Sequence, residues 1–260
     1  MFDRIATEKS PMLLRGVADC YDSAHHTYEH HAIVQKWVGH LLCQQLPLTA
    51  NAILDCGAGT GYFTRQLKQY FPNATLMSID LSRNMLLHHT GFVAQADQSQ
   101  LPFSPATFDM VFANMVFHWS TSLPTLLHEI KQALKPGGCL LFSLPTTNTL
   151  HELKTCWSFI DHHAHVNTFY SQDYIQKMAE EAGFQITLHS ETFVLYFDSV
   201  PDILRHLKNT GSHFVAHRPT GLMGKQQFDR LRRLYEQYRR GQLPCTYEIM
   251  YGKALLHHRY

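Results

Sequence analysis

Three closely spaced glycines and a carboxylate follow a short apolar run near residue 52. The segment reads Ala52-Ile-Leu-Asp-Cys-Gly-Ala-Gly-Thr-Gly61, and residues 62–70 then have the spacing of an amphipathic helix. Strand, glycine turn and helix in this order let a backbone approach a ligand closely, as in nucleotide-binding βαβ units. A dinucleotide fingerprint would read G-x-G-x-x-G, whereas this spacing is G-x-G-x-G. Asp55, at the carboxyl end of the predicted strand, suits a cationic ligand group better than a pyrophosphate.

Further polar side chains follow the next predicted strands at matching places. Asp80 ends the apolar run 74–79, about 20 residues after the glycines, where a ribose-binding carboxylate belongs. Asp97 follows the predicted strand 92–95, and Asn114 ends the next apolar run. Because ligands of parallel α/β sheets bind at the carboxyl ends of the strands, we expect these side chains to line one pocket.

The elements that must position these residues form an alternating pattern. Strands and helices alternate over residues 51–145, which predicts a parallel sheet in an α/β fold. We expect residues 1–50 to form an N-terminal helical lid, with one mostly helical pattern over 17–46. Residues 146–260 should complete the same sheet and add helical insertions. Within that part the patterns predict helices over 150–163 and 171–182, strands over 185–197 and 246–251, and a glycine-rich hinge at 220–224.

Together these motifs resemble those of class I S-adenosylmethionine (SAM) methyltransferases. Lys135-Pro-Gly-Gly138 before an apolar run resembles the turn into that family's fifth strand. The resemblance implies a Rossmann-like sheet with helices on both faces, helical insertions forming a lid, and SAM as the cofactor. It implies cofactor contacts from Tyr21, Asp55, Gly57, Ala58, Gly59, Gly61, Asp80, Leu81, Met85, Asp97, Gln98 and Asn114.

Bulk properties narrow the function classes. The formal net charge is +1, which argues against a general electrostatic attraction to nucleic acid. The six cysteines are scattered without metal-ligand spacing, so reduced thiols in a cytoplasm are the expected state. We find no segment of membrane-spanning length and no secretory signal, and we expect a cytoplasmic monomer.

The chain contains nineteen histidines, and histidine is a common metal ligand. His26 and His30 are four residues apart in the predicted N-terminal helix, a spacing that metal sites use. No third ligand accompanies the pair in the sequence, and we therefore predict no metal site.

A finer resemblance, covering nearly the whole chain, is to the biotin-pathway malonyl-acyl carrier protein O-methyltransferases. It rests on Tyr21-Asp22, Asn114 with Trp119, the segments 165–169 and 207–212, His217-Arg218, and 243–247. Residues 14–16 depart from the family pattern, in which an aromatic residue, a glycine and a basic residue are usual.

This resemblance implies methyl transfer from SAM to the free carboxylate of a malonyl thioester on acyl carrier protein. That carboxylate is already ionised at neutral pH, so we expect no general base and name no catalytic residue. Arg218 is the predicted carboxylate anchor, because a guanidinium matches a carboxylate bidentately. Trp119 and His118 are the other expected substrate contacts.

The basic C-terminal part suggests a docking surface. From residue 201 onward the formal net charge is +7, against −6 for residues 1–200. Residues 225–240 predict one amphipathic helix with Arg230, Arg233 and Arg240 on its solvated face. Acyl carrier proteins are acidic, so this ridge is the expected carrier-docking site.

Two other functions fit the same motifs. A methyltransferase of a free small molecule, such as a quinone precursor or a small acid, would carry the same SAM motifs. A SAM-binding assembly factor without methyl transfer would have the same pocket.

Overall fold

The computed structural model describes residues 11–215 and 224–256, and its centre is one seven-stranded sheet. The strand order is β3-β2-β1-β4-β5-β7-β6; β1 to β5 are parallel, while β7 lies antiparallel between β5 and β6. The strands are β1 (Ala52–Cys56), β2 (Thr75–Asp80), β3 (Phe92–Gln95), β4 (Phe108–Asn114), β5 (Leu134–Pro145), β6 (Phe184–Phe197) and β7 (Leu243–Leu256).

Ten α-helices surround the sheet in the described ranges. Short 3-10 helices at Phe117–Trp119 and Glu236–Tyr238 add to them. Of the helices described, none is both long and apolar enough to cross a bilayer. The α-helices are α1 (Pro11–Ala24), α2 (Tyr28–His31), α3 (Ile33–Cys43), α4 (Tyr62–Tyr70), α5 (Arg83–Leu86), α6 (Leu123–Ala133), α7 (His151–Ser158), α8 (Gln172–Glu181), α9 (Val200–Asn209) and α10 (Lys225–Tyr235).

Apolar side chains cover both faces of the parallel strands. Leu126 of α6 and Ile175 of α8 belong to one buried cluster, whereas Leu42 of α3 and Phe63 of α4 belong to another. Strands that are buried on both faces need apolar residues at nearly every position, as β1 has. The predicted α/β fold with helices on both faces is confirmed.

A third cluster joins the C-terminal helices to the antiparallel strands. Trp157 of α7, Ile203 of α9 and Tyr235 of α10 pack with Ile249 of β7. The insertions after β5 and β6 are therefore anchored to the sheet rather than loosely attached.

Several predicted boundaries are wrong. The N-terminal pattern contains three helices, because the chain turns at residues 25–27 and again at Ala32. The predicted turn 135–138 belongs to β5, which accommodates it through a register shift against β4. Helix α7 ends at Ser158 instead of reaching residue 163, and β7 is longer than predicted because it pairs with strands on both sides.

Helix α10 is also shorter than the predicted helix over 225–240. It ends at Tyr235, and the backbone of Arg240 instead pairs with Gln242 across a turn. The Arg239 guanidinium holds this turn by donating to the Glu236 carboxylate and to the Asp198 carbonyl. Arg240 therefore does not share a helical face with Arg230 and Arg233. Most of the predicted hinge at 220–224 lies outside the described residues.

Gly252 shows how closely β7 is packed between its neighbours. It pairs with Phe142 of β5 and Leu188 of β6. A Cβ atom here would lie 2.6 Å from the Thr187 carbonyl oxygen, which belongs to backbone that cannot move without disturbing β6. We expect Gly252→Ala to lower the free energy of unfolding by about 1–3 kcal/mol in urea denaturation.

Gly91 provides the matched control for this substitution. A Cβ atom at Gly91 would meet nothing within 4 Å, so Gly91→Ala should leave stability nearly unchanged. Equal effects of the two substitutions would contradict the close packing of β7.

Candidate functional site

The predicted carboxylates meet at the carboxyl edge of the parallel strands. Asp55 lies in β1, Asp80 ends β2, and Asp97 follows β3. Two adjoining cavities open at this edge and share lining residues from the glycine turn and from α2. Asp80 and Asp97 line the first cavity, and Asp55 lines the second. The shared lining residues are Tyr28, Gly57, Gly59 and Asn114. We treat the two cavities as one cleft.

The glycine turn forms the floor of the cleft. The backbone N–H groups of Gly57 and Ala58 donate to the Ile79 carbonyl at 2.8 and 2.9 Å, which fixes the turn against β2. Gly57 has φ +69°, and a Cβ atom there would lie 2.3 Å from Val116. The positive φ angle and the lack of space for a Cβ atom therefore both require glycine at this position. Gly61 begins α4 and does not line the cleft.

Asp80 is held by the backbone on either side of it. One carboxylate oxygen accepts from the Gly59 N–H at 2.9 Å and the other from the Ser82 N–H at 2.8 Å. Burial raises the pKa of Asp80 to about 6, against the opposing effect of these hydrogen bonds. A carboxylate oxygen can accept more than one hydrogen bond, and Asp80 lines the first cavity.

Asp55 is more deeply buried, with 2% of its surface exposed. The Thr64 hydroxyl donates to it at 2.5 Å, yet burial raises the pKa of Asp55 to about 7. Within the described residues it forms no salt bridge. A buried carboxylate without a cationic partner is unfavourable, so a cationic ligand group in the second cavity would stabilise its charge.

Two buried amide oxygens in the cleft have no hydrogen-bond donor among the residues that the structure describes. They are Oε1 of Gln98, in the first cavity, and Oε1 of Gln35, in the second. Buried acceptors usually have a partner, so both oxygens point to donors on a ligand. Gln98 is a predicted residue, but Gln35 was missed. Its position on the buried face of α3, between Val34 and Val38, is the signal in the sequence that could have identified it.

Helix α1 forms the wall opposite the strand ends. Tyr21 lines the first cavity, and its hydroxyl accepts from the Trp119 indole N–H at 3.0 Å. Burial raises the pKa of Tyr21 to about 12, so its hydroxyl stays protonated at neutral pH. The Asp22 carboxylate joins α1 to the start of α5 by accepting from the Ser82 hydroxyl at 2.5 Å and the Asn84 N–H at 3.0 Å.

Helix α2 is joined to the glycine turn by a second polar contact. Glu29 accepts from the Thr60 hydroxyl at 2.8 Å and from the Arg65 guanidinium at 2.9 Å. This contact places Tyr28, one of the N-terminal aromatic residues expected from the sequence to cover the cofactor site, over Gly59 at the junction of the two cavities.

Asn114 connects the end of β4 to α3. Its side-chain N–H donates to the Gln35 carbonyl at 2.9 Å, and its oxygen accepts from the Ser143 hydroxyl at 2.8 Å. The next residue, Met115, lines the first cavity with φ +57°, a conformation that costs energy for a side chain of this size. Asn114 therefore lines the cleft while also holding its wall in place.

Not all of the other predicted site residues line the cleft. Leu81 lines the first cavity, but Met85 is fully buried in the protein interior and does not line the cleft. The His118 ring lies 4.7 Å from Trp119 and 5.9 Å from Phe169, between centroids, and lines neither cavity. Arg218, the predicted carboxylate anchor, lies outside the described residues.

Comparison with known sequences identifies relatives of this chain. A family model described as a methyltransferase domain matches residues 28–189. A malonyl-acyl-carrier-protein O-methyltransferase of Hahella chejuensis is 35% identical over 257 residues, covering 95% of this chain and 90% of its own length. The biotin biosynthesis bifunctional protein BioHC of Teredinibacter turnerae is 34% identical over 96% of this chain and 49% of its own.

A solved structure supports the fold assignment. The phosphoethanolamine N-methyltransferase 2 of Haemonchus contortus, in complex with SAM, matches with a TM-score of 0.56 and 20% identity. The match covers 91% of this chain and 57% of that one. At that identity the likeness shows a shared fold. The sequence relatives show more, and the chain belongs to the malonyl-acyl-carrier-protein O-methyltransferase family of SAM-dependent methyltransferases.

Proposed function

We propose that this chain methylates the free carboxylate of a malonyl group on acyl carrier protein, with SAM as the methyl donor. The observation that carries the proposal is the cleft, in which the carboxylates of three strand ends lie opposite the Tyr21–Trp119 pair. Since one relative is named a biotin biosynthesis protein, we infer that the methyl ester serves that pathway.

The cleft fits SAM group by group. We assign the ribose hydroxyls to Asp80, whose two oxygens retain acceptor capacity beside the glycine turn. The adenine amino group would donate to Asp97 or to the unpartnered Gln98 oxygen. The methionine ammonium would lie in the second cavity, between Asp55 and the unpartnered Gln35 oxygen. The two buried oxygens that have no donor in the described ranges would thereby gain one.

The methyl transfer requires the chain to align the two reactants, and it requires no proton transfer. Bound SAM supplies an electrophilic methyl group on a sulfonium centre. The malonyl carboxylate is ionised at neutral pH, so the chain has to hold its oxygen in line with that group and exclude water. The apolar wall of α1, with Val17 and Leu14, and the Trp119 ring can exclude water here. We assign no histidine a role as general base.

Arg218 remains our proposed anchor for the malonyl carboxylate. The residues just before it approach the cleft: the Phe214 ring lies 6.3 Å from Trp119, between centroids, and its carbonyl accepts from the Asn167 side chain at 2.6 Å. His213 lies 3.4 Å from Cys20 of α1. The described residues just before the segment that contains Arg218 therefore lie near Trp119, which supports this proposal.

We propose Arg230 and Arg233 of α10 as the carrier-docking residues. Both are exposed and line one concave surface with Ile160 and Gln226, while Leu231 and Tyr235 anchor the opposite face of the helix. Acidic carrier proteins would be drawn to this pair, which steers association more than it changes the chemical step. Arg240, beyond the end of α10, is left out of the ridge.

We also propose that the chain acts as a cytoplasmic monomer. The described residues contain no disulfide, and the cysteines at 43, 56, 139, 156 and 245 are buried within the fold. Reduced, buried thiols are the usual state in a reducing compartment.

The proposal is tested by incubating the protein with labelled SAM and malonyl-acyl carrier protein. We expect a base-labile methyl ester on the carrier-bound malonyl group. Labelling of a free small acid with no carrier requirement would indicate the small-molecule methyltransferase instead. SAM binding without transfer to any of these acceptors would indicate an assembly factor.

Asp80→Ala connects this activity to the assigned cofactor site. Loss of charge-assisted hydrogen bonds to the ribose should weaken SAM binding by about 1.5–3 kcal/mol in calorimetry. The matched control is Asp109→Ala: Asp109 also accepts two backbone N–H groups, but at the opposite end of the strands. Unchanged affinity in Asp80→Ala, or an equal loss in Asp109→Ala, would remove Asp80 from the cofactor site.

Charge reversal tests the docking surface. Arg230→Glu and Arg233→Glu, singly and together, should slow methylation of the carrier-bound substrate, and the wild-type rate should fall as salt rises. Methylation of a malonyl thioester without the carrier should hardly change. Lys177→Glu, a charge reversal at an exposed residue of α8, is the control and should act like wild type. Equal effects on both substrates would refute docking at this surface.

A further inference from the structure

Three histidines from two distant parts of the chain meet where the end of α1 lies beside the turn after α5. His25 and His26 follow the last residue of α1, and His88 follows α5. One ring nitrogen of each lies within 4.8 Å of the others. In residues 11–215 and 224–256, no other group of three potential metal ligands lies this close.

The shortest contact has the dimensions of a metal site. His25 Nδ1 and His88 Nε2 are 3.1 Å apart. Two nitrogens bound to one tetrahedral zinc ion, at bonds of about 2.0–2.1 Å, lie about 3.3 Å from each other. The His26 ring, 3.6 Å from that of His25 between centroids, is exposed and can turn toward the same point.

The cluster is also accessible from solvent. His26 and His88 are open to solvent, so an ion could enter and retain a water molecule as its fourth ligand.

We propose that His25, His26 and His88 form a binding site for a divalent transition metal ion, with zinc as the preferred ion. Imidazole ligands suit zinc and its first-row neighbours, whereas magnesium and calcium prefer oxygen. The ion joins the end of α1 to the turn after α5. It therefore reinforces the contact that Asp22 already makes with Ser82 and Asn84 and fixes the helix that covers the cleft.

This site differs from the pair that sequence spacing suggested. His26 and His30 are not on one helix, because α1 ends at Ala24 and His30 lies in α2. The His30 ring instead contacts His31, 5.1 Å away. No third ligand accompanies His26 and His30 in the sequence, whereas the fold brings His88 to His26 from 62 residues further along the chain.

Zinc binding to the full chain, measured by competition with a chromophoric chelator, tests the proposal. We expect one tight equivalent in the wild type. His88→Ala and His26→Ala should each weaken it by more than the roughly 10–100-fold that loss of an outer-shell partner costs. His128→Ala, which removes an exposed histidine of α6, should bind zinc like wild type.

Two further readouts separate a site from a folding effect. Cobalt in place of zinc should give the visible absorption of a tetrahedral nitrogen site in the wild type and not in His88→Ala. Without metal, all variants should share the wild-type melting temperature, and zinc should raise it in the wild type and in His128→Ala. Absence of a stoichiometric equivalent in the wild type, or wild-type zinc affinity in His88→Ala, overturns the proposal.

Discussion

The cleft depends on two carboxylates that are buried at neighbouring strand ends, and in the described part of the chain neither forms a salt bridge. Asp55 and Asp80 lie on the paired strands β1 and β2, and burial raises both pKa values. Thr64 and the backbone N–H groups of Gly59 and Ser82 offset part of the cost of that burial. A ligand that brings an ammonium group and hydroxyl donors can offset more, which explains why SAM suits this site.

Residues of the N-terminal helices α1, α2 and α3 line the same cleft as the carboxylates. Each of these helices is held to a neighbouring element by a polar contact. Asp22 holds α1 to α5, Glu29 holds α2 to Thr60 and Arg65, and Asn114 holds α3. A site of this kind suits an electrophilic methyl donor, because exclusion of water prevents side reactions of the donor.

The sequence was sufficient to predict those site residues whose positions depend on local spacing. Asp55, Asp80 and Asp97 follow apolar runs, and the parallel sheet places the ends of those runs together, so their meeting could be predicted. The position of Met85 outside the cleft could not be predicted in this way. The short helix α5 turns the Met85 side chain into the protein interior, and no strand end marks that orientation in the sequence. Gln35 reaches the cleft through contacts between segments far apart in sequence, which no local pattern records. The shortened α10 likewise depends on Arg239 reaching Asp198, about forty residues away.

Proton release on cofactor binding is the most direct test of the role of the buried carboxylates. Asp55, with a pKa of about 7, is largely protonated in the free protein below that pH. Because an ammonium group favours the ionised form, binding of S-adenosylhomocysteine must lower this pKa and release a proton. Calorimetry in buffers of different ionisation enthalpy should therefore show proton release below about pH 7, with affinity that rises as the pH approaches that value. An affinity independent of pH from 5 to 7, with no proton released, would contradict the account.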